Sequence, residues 1–136
     1  MGSVTKVVID SNVFISAFGW DGKPEAVLRL VEQGRLINYT TEAIFDELMR
    51  VVAYPKLKFP QSLQIKILEF VFFWSRFVRR EENIAVVTDD PKDDMFIECA
   101  ISAGANFIIS GDPHLLALGS YRNVKIVSPA EFLEIR

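Results

Sequence analysis

Apolar residues follow two alternating patterns along this chain of 136 residues. Short runs rich in β-branched residues predict buried strands, whereas apolar residues spaced three and four apart predict helices with one buried face. Five strands are predicted in this way, at residues 6–9, 36–39, 84–87, 107–109 and 124–127. The helices predicted between and after them lie at residues 13–18, 24–33, 42–53, 60–76, 91–103, 113–118 and 129–133. Strands too apolar to face water, alternating with helices, indicate an α/β fold: a central parallel sheet of four to five strands with helices on both faces.

Two helix starts have recognisable capping sequences. Thr40 or Thr41 can cap the helix at 42–53, because a threonine hydroxyl accepts a hydrogen bond from an N–H group of the first turn. Residues 128–131 read Ser-Pro-Ala-Glu, which is the sequence of a capping box with proline at the first helical position.

The helix predicted at 60–76 is unusually apolar, because ten of the fourteen residues from Ile65 to Val78 are hydrophobic. The run is shorter than the roughly 20 residues that a membrane span needs. A helix that is apolar all round must be covered on more than one side. We therefore expect a homodimer and no membrane association.

Composition favours a single intracellular domain over residues 1–136. Half of the residues are hydrophobic and 24% are charged, as in ordinary globular proteins. Cys99 is the only cysteine and cannot form an internal disulfide, and the N-terminal sequence does not resemble a signal peptide, so we expect a cytoplasmic protein. The net charge is −3, with a pI of about 5.2. A polyanionic ligand would therefore need bound cations or a local basic patch.

Two carboxylates follow predicted strands closely. Asp10 comes directly after the first strand, and Asp112 lies just past the strand at 107–109. In open α/β sheets, ligands bind at the carboxyl ends of the strands. Both carboxylates are therefore expected at one edge of the sheet.

Helix geometry selects two further acids. At about 100° per residue, Asp93 falls near the middle of the apolar face of the helix at 91–103, and Asp94 lies at its margin. Glu47 lies at the edge of the apolar face of the helix at 42–53. Acids on a buried face are costly to desolvate unless a positive charge meets them. Asp93 and Glu47 are the inward-facing candidates, with Asp94 in support.

Converging carboxylates repel one another, and a divalent cation removes that repulsion. Ligation by oxygen atoms alone suits Mg²⁺ or Mn²⁺, while the presence of a single histidine, His114, argues against zinc. Magnesium bound by carboxylates commonly takes its remaining ligands from water and substrate phosphates. The pattern therefore favours phosphoryl chemistry.

Four segments resemble one known family in the expected order: Val8-Ile-Asp10-Ser-Asn12-Val-Phe, Asp46-Glu47-Leu48, residues 90–100 around Asp93-Asp94, and Ile109-Ser110-Gly-Asp112-Pro-His-Leu-Leu. They are similar to the PIN-domain ribonucleases, and in particular to the branch described as toxins of prokaryotic toxin–antitoxin systems. The resemblance implies a Rossmann-like three-layer sandwich and an endoribonuclease that uses Mg²⁺ or Mn²⁺. It also implies RNA as the substrate and an antitoxin protein as a partner.

By the same resemblance, the catalytic and metal-binding acids are Asp10, Glu47, Asp93 and Asp112, with Asn12, Asp94 and Ser110 as supporting groups. The choice between Asp93 and Asp94 stays open at this point. Two other functions compete with the nuclease: an RNA-binding or regulatory module of the same fold without catalysis, and a phosphatase of the haloacid-dehalogenase type. The phosphatase chemistry needs a second aspartate two residues after Asp10, where this chain has Asn12.

Overall fold

The strand that precedes Asp10 lies in the middle of a sheet. The computed structural model describes residues 4–79 and 91–135. Six strands occur within these residues: β1 (Thr5–Ile9), β2 (Leu36–Thr40), β3 (Ser75–Phe77), β4 (Phe107–Ile109), β5 (Ser120–Tyr121) and β6 (Val124–Val127). Their spatial order is β3-β2-β1-β4-β6-β5. Neighbouring strands are parallel, except that β5 is antiparallel to β6.

Seven helices in the described part of the chain accompany this sheet: α1 (Ser11–Gly19), α2 (Lys23–Glu32), α3 (Glu42–Val52), α4 (Gln61–Trp74), α5 (Pro91–Ala103), α6 (Pro113–Leu118) and α7 (Pro129–Ile135). A 3-10 turn, Pro55–Leu57, follows α3. The two predicted caps are confirmed. Thr41 Oγ1 accepts a hydrogen bond from the N–H of Ile44 at 3.2 Å. Ser128 and Glu131 form the reciprocal capping box, at 3.0 and 3.1 Å.

Successive β1 side chains enter two separate hydrophobic cores, as the period of two in a strand requires. Val7 and Ile9 pack in a core with α1, α2, parts of α3 and α4, and Phe132 of α7. Val8 packs in the opposite core, with α5 and α6. The prediction of a mostly parallel sheet covered by helices on both faces is therefore confirmed.

The prediction of a helix through Arg76 is wrong at its C-terminal end. Helix α4 ends at Trp74, and Ser75–Phe77 form β3, which pairs with β2. The side-chain amide of Asn38 in β2 donates a hydrogen bond to Ser75 Oγ at 2.8 Å. The backbone groups along the edge of β2 need hydrogen-bond partners, and residues 75–77 supply them as a strand. This pairing between distant segments outweighs the helix propensity of residues 75–77. Strand β5 was not predicted, and the strand predicted at 84–87 lies outside the described residues.

Helix α4 buries only part of its apolar surface. Ile67 and Val71 are buried, but Phe72 and Phe73 are 64% and 77% exposed. Together with the exposed rings of Trp74 and Phe77 they form what we call the aromatic surface. Among the described residues, no helix is long and apolar enough to cross a membrane.

Candidate functional site

Asp10 is fixed by its position between β1 and α1. Its backbone N–H donates to the carbonyl of Ile109 at 2.9 Å, which extends the pairing of β1 with β4. One oxygen of its carboxylate, Oδ1, accepts a hydrogen bond from the N–H of Asn12 at 3.2 Å and caps α1. The side chain is nevertheless buried, with 4% exposure. A strand end and a helix start together aim this carboxylate.

Ser110, directly after β4, connects the two acids at the strand ends. Its buried hydroxyl donates to Asp10 Oδ2 at 2.6 Å and accepts from the N–H of Asp112 at 2.9 Å. Asp112 in turn caps α6, because its Oδ1 accepts from the N–H of His114 at 2.9 Å. Both carboxylates are thus placed at one edge of the sheet, as the sequence predicts.

Two helices bring further acids to the same place. Glu47 of α3 and Asp93 of α5 are both buried, and they line one cavity of about 250 Å³ together with Asp10 and Asp112. We call this space the acid cavity. A salt bridge from the exposed guanidinium of Arg50 reaches Glu47 at its rim.

The supporting residues lie at different depths. Asn12 contributes to the wall of the acid cavity. Ser110 lies behind Asp10 and is fully buried. Asp94 is also buried but is not among the residues lining this cavity, whereas Asp93 is. The sequence places Asp93 nearer than Asp94 to the middle of the apolar face of α5, and Asp93 is the one that lines the acid cavity. The roles of both residues stay predictions.

Burial is the main cause of a raised pKa at Asp10, because desolvation penalises the charged carboxylate. The hydrogen bond from Ser110 acts in the opposite direction and lowers this pKa. The negative charge of Asp112 raises it further. The site therefore holds Asp10 with less compensating positive charge than an ionised carboxylate at this depth requires.

The donor set of the acid cavity fits a hard divalent cation. Four carboxylates from four separate elements face one space, and oxygen ligands of this kind suit Mg²⁺ or Mn²⁺. Within residues 4–79 and 91–135, however, no three acid, histidine or cysteine side chains form a complete metal-ligand group. The chemistry of the donors therefore fits the cation, whereas their arrangement in the described residues does not form its complete ligand set.

Sequence reasoning missed other residues of the wall. Ser11, Val51, Tyr54 and Phe96 also line the acid cavity. A helical spacing from Glu47 could have identified Val51, which follows it by four residues, whereas Tyr54 lies beyond the end of α3. Phe96 follows Asp93 by three residues, which places it on the same side of α5.

The fold and the cavity define the class of the protein. It is a three-layer α/β protein that brings carboxylates together at the carboxyl edge of a mostly parallel sheet. A family model described as "PIN domain" matches residues 6–114, and the chain belongs to the PIN-domain family. The chain is also similar to an uncharacterized protein of Methanocaldococcus jannaschii, with 32% identity over 141 aligned positions that cover 95% of this chain and 90% of that protein.

Family membership supports a general class of activity. PIN domains are generally nucleases and commonly use divalent metals. The acid cavity supplies the type of side chain that such chemistry needs.

Proposed function

We propose that the protein is an endoribonuclease that depends on Mg²⁺ or Mn²⁺ and hydrolyses RNA phosphodiester bonds in the acid cavity. The observation that carries this proposal is the meeting of Asp10, Glu47, Asp93 and Asp112 in one cavity. These residues come from two strand ends and two helices, so the fold itself must bring them together. Buried carboxylates that repel one another cost stability, and a function that needs them is the simplest reason for the cost.

The same four carboxylates would hold the cation. When bound, a divalent cation lowers the pKa of water and stabilises negative charge on phosphate oxygens. Asp10 would be the best-oriented ligand, because Ser110 and the N–H of Asn12 fix both of its oxygens. Val51 and Phe96 supply apolar wall, which limits the entry of water beside the acids. Asn12 also lines the cavity, and its side-chain amide would donate to a substrate oxygen.

The test is a digest of RNA with Mn²⁺, with and without a chelator. Cleavage is expected with Mn²⁺ and is expected to stop when the chelator is added. Glu47→Gln should lose activity, whereas Asp46→Asn is a matched control, since Asp46 is the exposed neighbouring acid on α3. Equal activity of Glu47→Gln and Asp46→Asn would remove Glu47 from the proposed site.

A second candidate is an RNA-binding module of the same fold without catalysis. It is favoured by the lack of a complete metal-ligand group among the described residues. This candidate predicts that no RNA is cleaved at any concentration of protein or Mn²⁺. It also predicts that Asp10→Asn leaves RNA affinity unchanged.

The biological role proposed with the nuclease is that of a cytoplasmic toxin held inactive by an antitoxin protein. The motif resemblance supports the toxin role, and the buried free thiol of Cys99 fits a reducing compartment. Expression of the chain alone should arrest growth, while expression of Glu47→Gln should not. A small gene directly upstream that relieves the arrest would identify the antitoxin.

We further propose that two copies associate through the aromatic surface. Its four rings expose on the order of 450 Å². A standard interface buries about 800 Å² per partner, of which roughly 60% is apolar. The exposed area of the four rings is therefore similar to the apolar part of such an interface. Exposed charges of both signs adjoin these rings in the sequence, among them Glu69 and Arg76. A two-fold axis through this surface would place Glu69 of one copy against Arg76 of the second copy, and Arg76 against Glu69. The same surface would therefore be complementary to itself.

Charge reversal tests this arrangement. Glu69→Arg and Arg76→Glu should each shift the protein from dimer to monomer in light scattering after size exclusion. The double variant should restore the dimer, because the pairs re-form with exchanged signs. A monomeric native protein at micromolar concentration, or a dimer indifferent to both single changes, would rule out this interface.

A further inference from the structure

Tyr54 is held rigidly at the end of the helix that carries Glu47. Its N–H donates to the carbonyl of Val51 at 3.1 Å, and its own carbonyl accepts from the N–H of Leu57 at 3.0 Å. Pro55 follows at once and begins the 3-10 turn. The backbone is therefore fixed on both sides, and the ring projects from a defined point.

The ring of Tyr54 lies at the mouth of the acid cavity. It lines the cavity with the four carboxylates, yet the residue is 46% exposed. Tyr54 belongs to neither hydrophobic core, so core packing does not explain its place. An aromatic ring in this position offers a flat face to whatever enters the cavity.

Three cationic residues lie close to Tyr54 along the chain. The guanidinium of Arg50 is within electrostatic reach of Tyr54 and forms a salt bridge with Glu47. Lys56 and Lys58 are exposed on the turn directly after it. Carboxylates, an aromatic ring and cations thus occur together at this end of α3. A nucleic-acid strand uses all three: a site for the reacting phosphate, a stacking face for a base, and cations for neighbouring phosphates.

Trp20 provides an instructive contrast. It is 62% exposed and lines a different cavity, together with Asp21, Glu25 and Glu32. Trp20 does not line the acid cavity, so the phosphate of the proposed reaction would not lie beside it. Exposure of an aromatic ring alone therefore does not select a base-stacking residue, whereas a place beside the acid cavity does.

We propose that Tyr54 binds substrate by stacking its ring on an unpaired base beside the scissile phosphate. This inference rests on the proposed function for the position of the phosphate. A base inside a duplex is covered on both faces by its neighbours and cannot stack on a side chain, so a duplex serves as a control.

The experiment measures binding separately from cleavage. Affinity for a short single-stranded RNA with a fluorescent label is measured by anisotropy in the presence of a chelator, so that no strand is cut. Tyr54→Ala and Tyr54→Leu should each weaken binding by about 5- to 100-fold, the usual effect of losing one stacked base. Tyr54→Phe keeps the ring and should bind like the native protein. Trp20→Ala is the matched control and should also bind normally.

A change in the RNA completes the test. One abasic position should weaken binding to the native protein as much as Tyr54→Ala does, and should have no further effect on that variant. Blunt duplex RNA should bind the native protein and Tyr54→Ala equally. The inference would be overturned if Tyr54→Ala bound RNA like the native protein, or if Tyr54→Phe lost as much affinity as Tyr54→Ala. It would also be overturned if every abasic position weakened binding to the native protein and to Tyr54→Ala by the same factor.

The cleavage arm keeps the two proposals apart. If the stacking results hold while no RNA is cut with Mn²⁺, the nuclease proposal fails and the base-binding role of Tyr54 stands. If RNA is cut with the same KM by Tyr54→Ala and by the native protein, the nuclease proposal stands and the role of Tyr54 fails.

Discussion

The acid cavity and the aromatic surface depart in opposite directions from the rule that apolar groups lie inside and charged groups outside. The cavity buries Asp10, Glu47 and Asp93, while the surface exposes Phe72 and Phe73. Each arrangement costs free energy in an isolated chain. Under the proposed functions, a molecule outside the chain would offset each cost: a cation with RNA in the first case, and a second copy in the other.

The two regions also differ in how firmly they are built. Hydrogen bonds from Ser110 and from the N–H of Asn12 fix the carboxylate of Asp10. The rings of the aromatic surface contact one another, as Phe72 and Phe77 do at a centroid distance of 5.7 Å, without polar anchors. Directional hydrogen bonds therefore hold the acid cavity, whereas tilted and edge-on ring contacts form the aromatic surface. Changes in the cavity should therefore have the larger and more specific effects.

The largest effect is expected on catalysis. Asp10→Asn and Asp112→Asn should each lower Mn²⁺-dependent RNA cleavage by at least about 100-fold, because each removes a charged ligand of the cation. Ser110→Ala should lower it by about tenfold, since Ser110 acts by orienting Asp10. Initial rates of cleavage of one labelled RNA give all three values. A Ser110→Ala variant as inactive as Asp10→Asn would mean that the serine itself contacts the substrate.

The next effect concerns a buried polar residue that is structural. Asn38 Oδ1 accepts from the N–H of Ile9 at 2.8 Å, and its amide donates to Ser75 Oγ. Asn38→Leu leaves both groups without this partner and should lower the free energy of unfolding by about 2 kcal/mol. For a chain of this size, that is a fall of roughly 8 °C in Tm.

Asn106→Leu is the matched control for this change. Asn106 accepts a long hydrogen bond of 3.3 Å from the N–H of Lys6 and is exposed. Its replacement should alter the free energy of unfolding by less than about 0.5 kcal/mol. Urea unfolding of both variants is the measurement. Equal losses would show that burial does not distinguish the two asparagines.

Much of the fold could be predicted because periodicity and capping are local signals. The strand before Asp10 and the capping box at Ser128 and Glu131 follow directly from the residue order. The end of α4 could not be predicted in this way. The helical spacing of apolar residues continues past Trp74 to Phe77 and Val78, and the competing partner of Ser75 is Asn38, which is distant in the sequence.

The candidate site shows the same division. Asp10 and Asp112 could be predicted from their places after strands, and Asp93 from the buried side of its helix. Tyr54 could not, because its place beside the acid cavity depends on residues that are distant in the sequence. Sequence patterns identify which residues are buried, but they do not identify which exposed residues border the same space.

A smaller effect is expected on stability when no metal is present. Because the pKa of Asp10 is raised in the folded protein, the fold binds the proton more tightly than the unfolded chain does. The stabilising contribution is present at acid pH, below the unfolded pKa, and is lost as the pH rises through the folded pKa. Asp10→Asn does not ionise, so its Tm in chelator should exceed that of the native protein by a few degrees at neutral pH. The gain should vanish in acid.

Added Mn²⁺ should reverse this order. It should raise the Tm of the native protein and leave Asp10→Asn nearly unchanged, because the charged ligand is gone. Asp94→Asn is the control, since Asp94 is buried outside the cavity wall, and it should keep the response to Mn²⁺. Scanning calorimetry at several pH values gives both results. A native protein that gains no stability from Mn²⁺ at millimolar concentration would contradict the metal site.

The smallest effect is expected in the aromatic surface, on the stability of the separated monomer. Phe73 is 77% exposed, so Phe73→Ser removes little that the single chain buries, and the free energy of unfolding should change by less than about 0.5 kcal/mol in dilute solution. Val71→Ala, on the buried side of the same helix, should cost about 2 kcal/mol because it leaves a cavity. The native Tm should rise with protein concentration, since association stabilises the folded state, and Phe73→Ser should abolish that rise. A loss above about 1 kcal/mol for Phe73→Ser at every concentration would mean that this ring stabilises its own chain, and the aromatic surface would then no longer be the counterpart of the acid cavity.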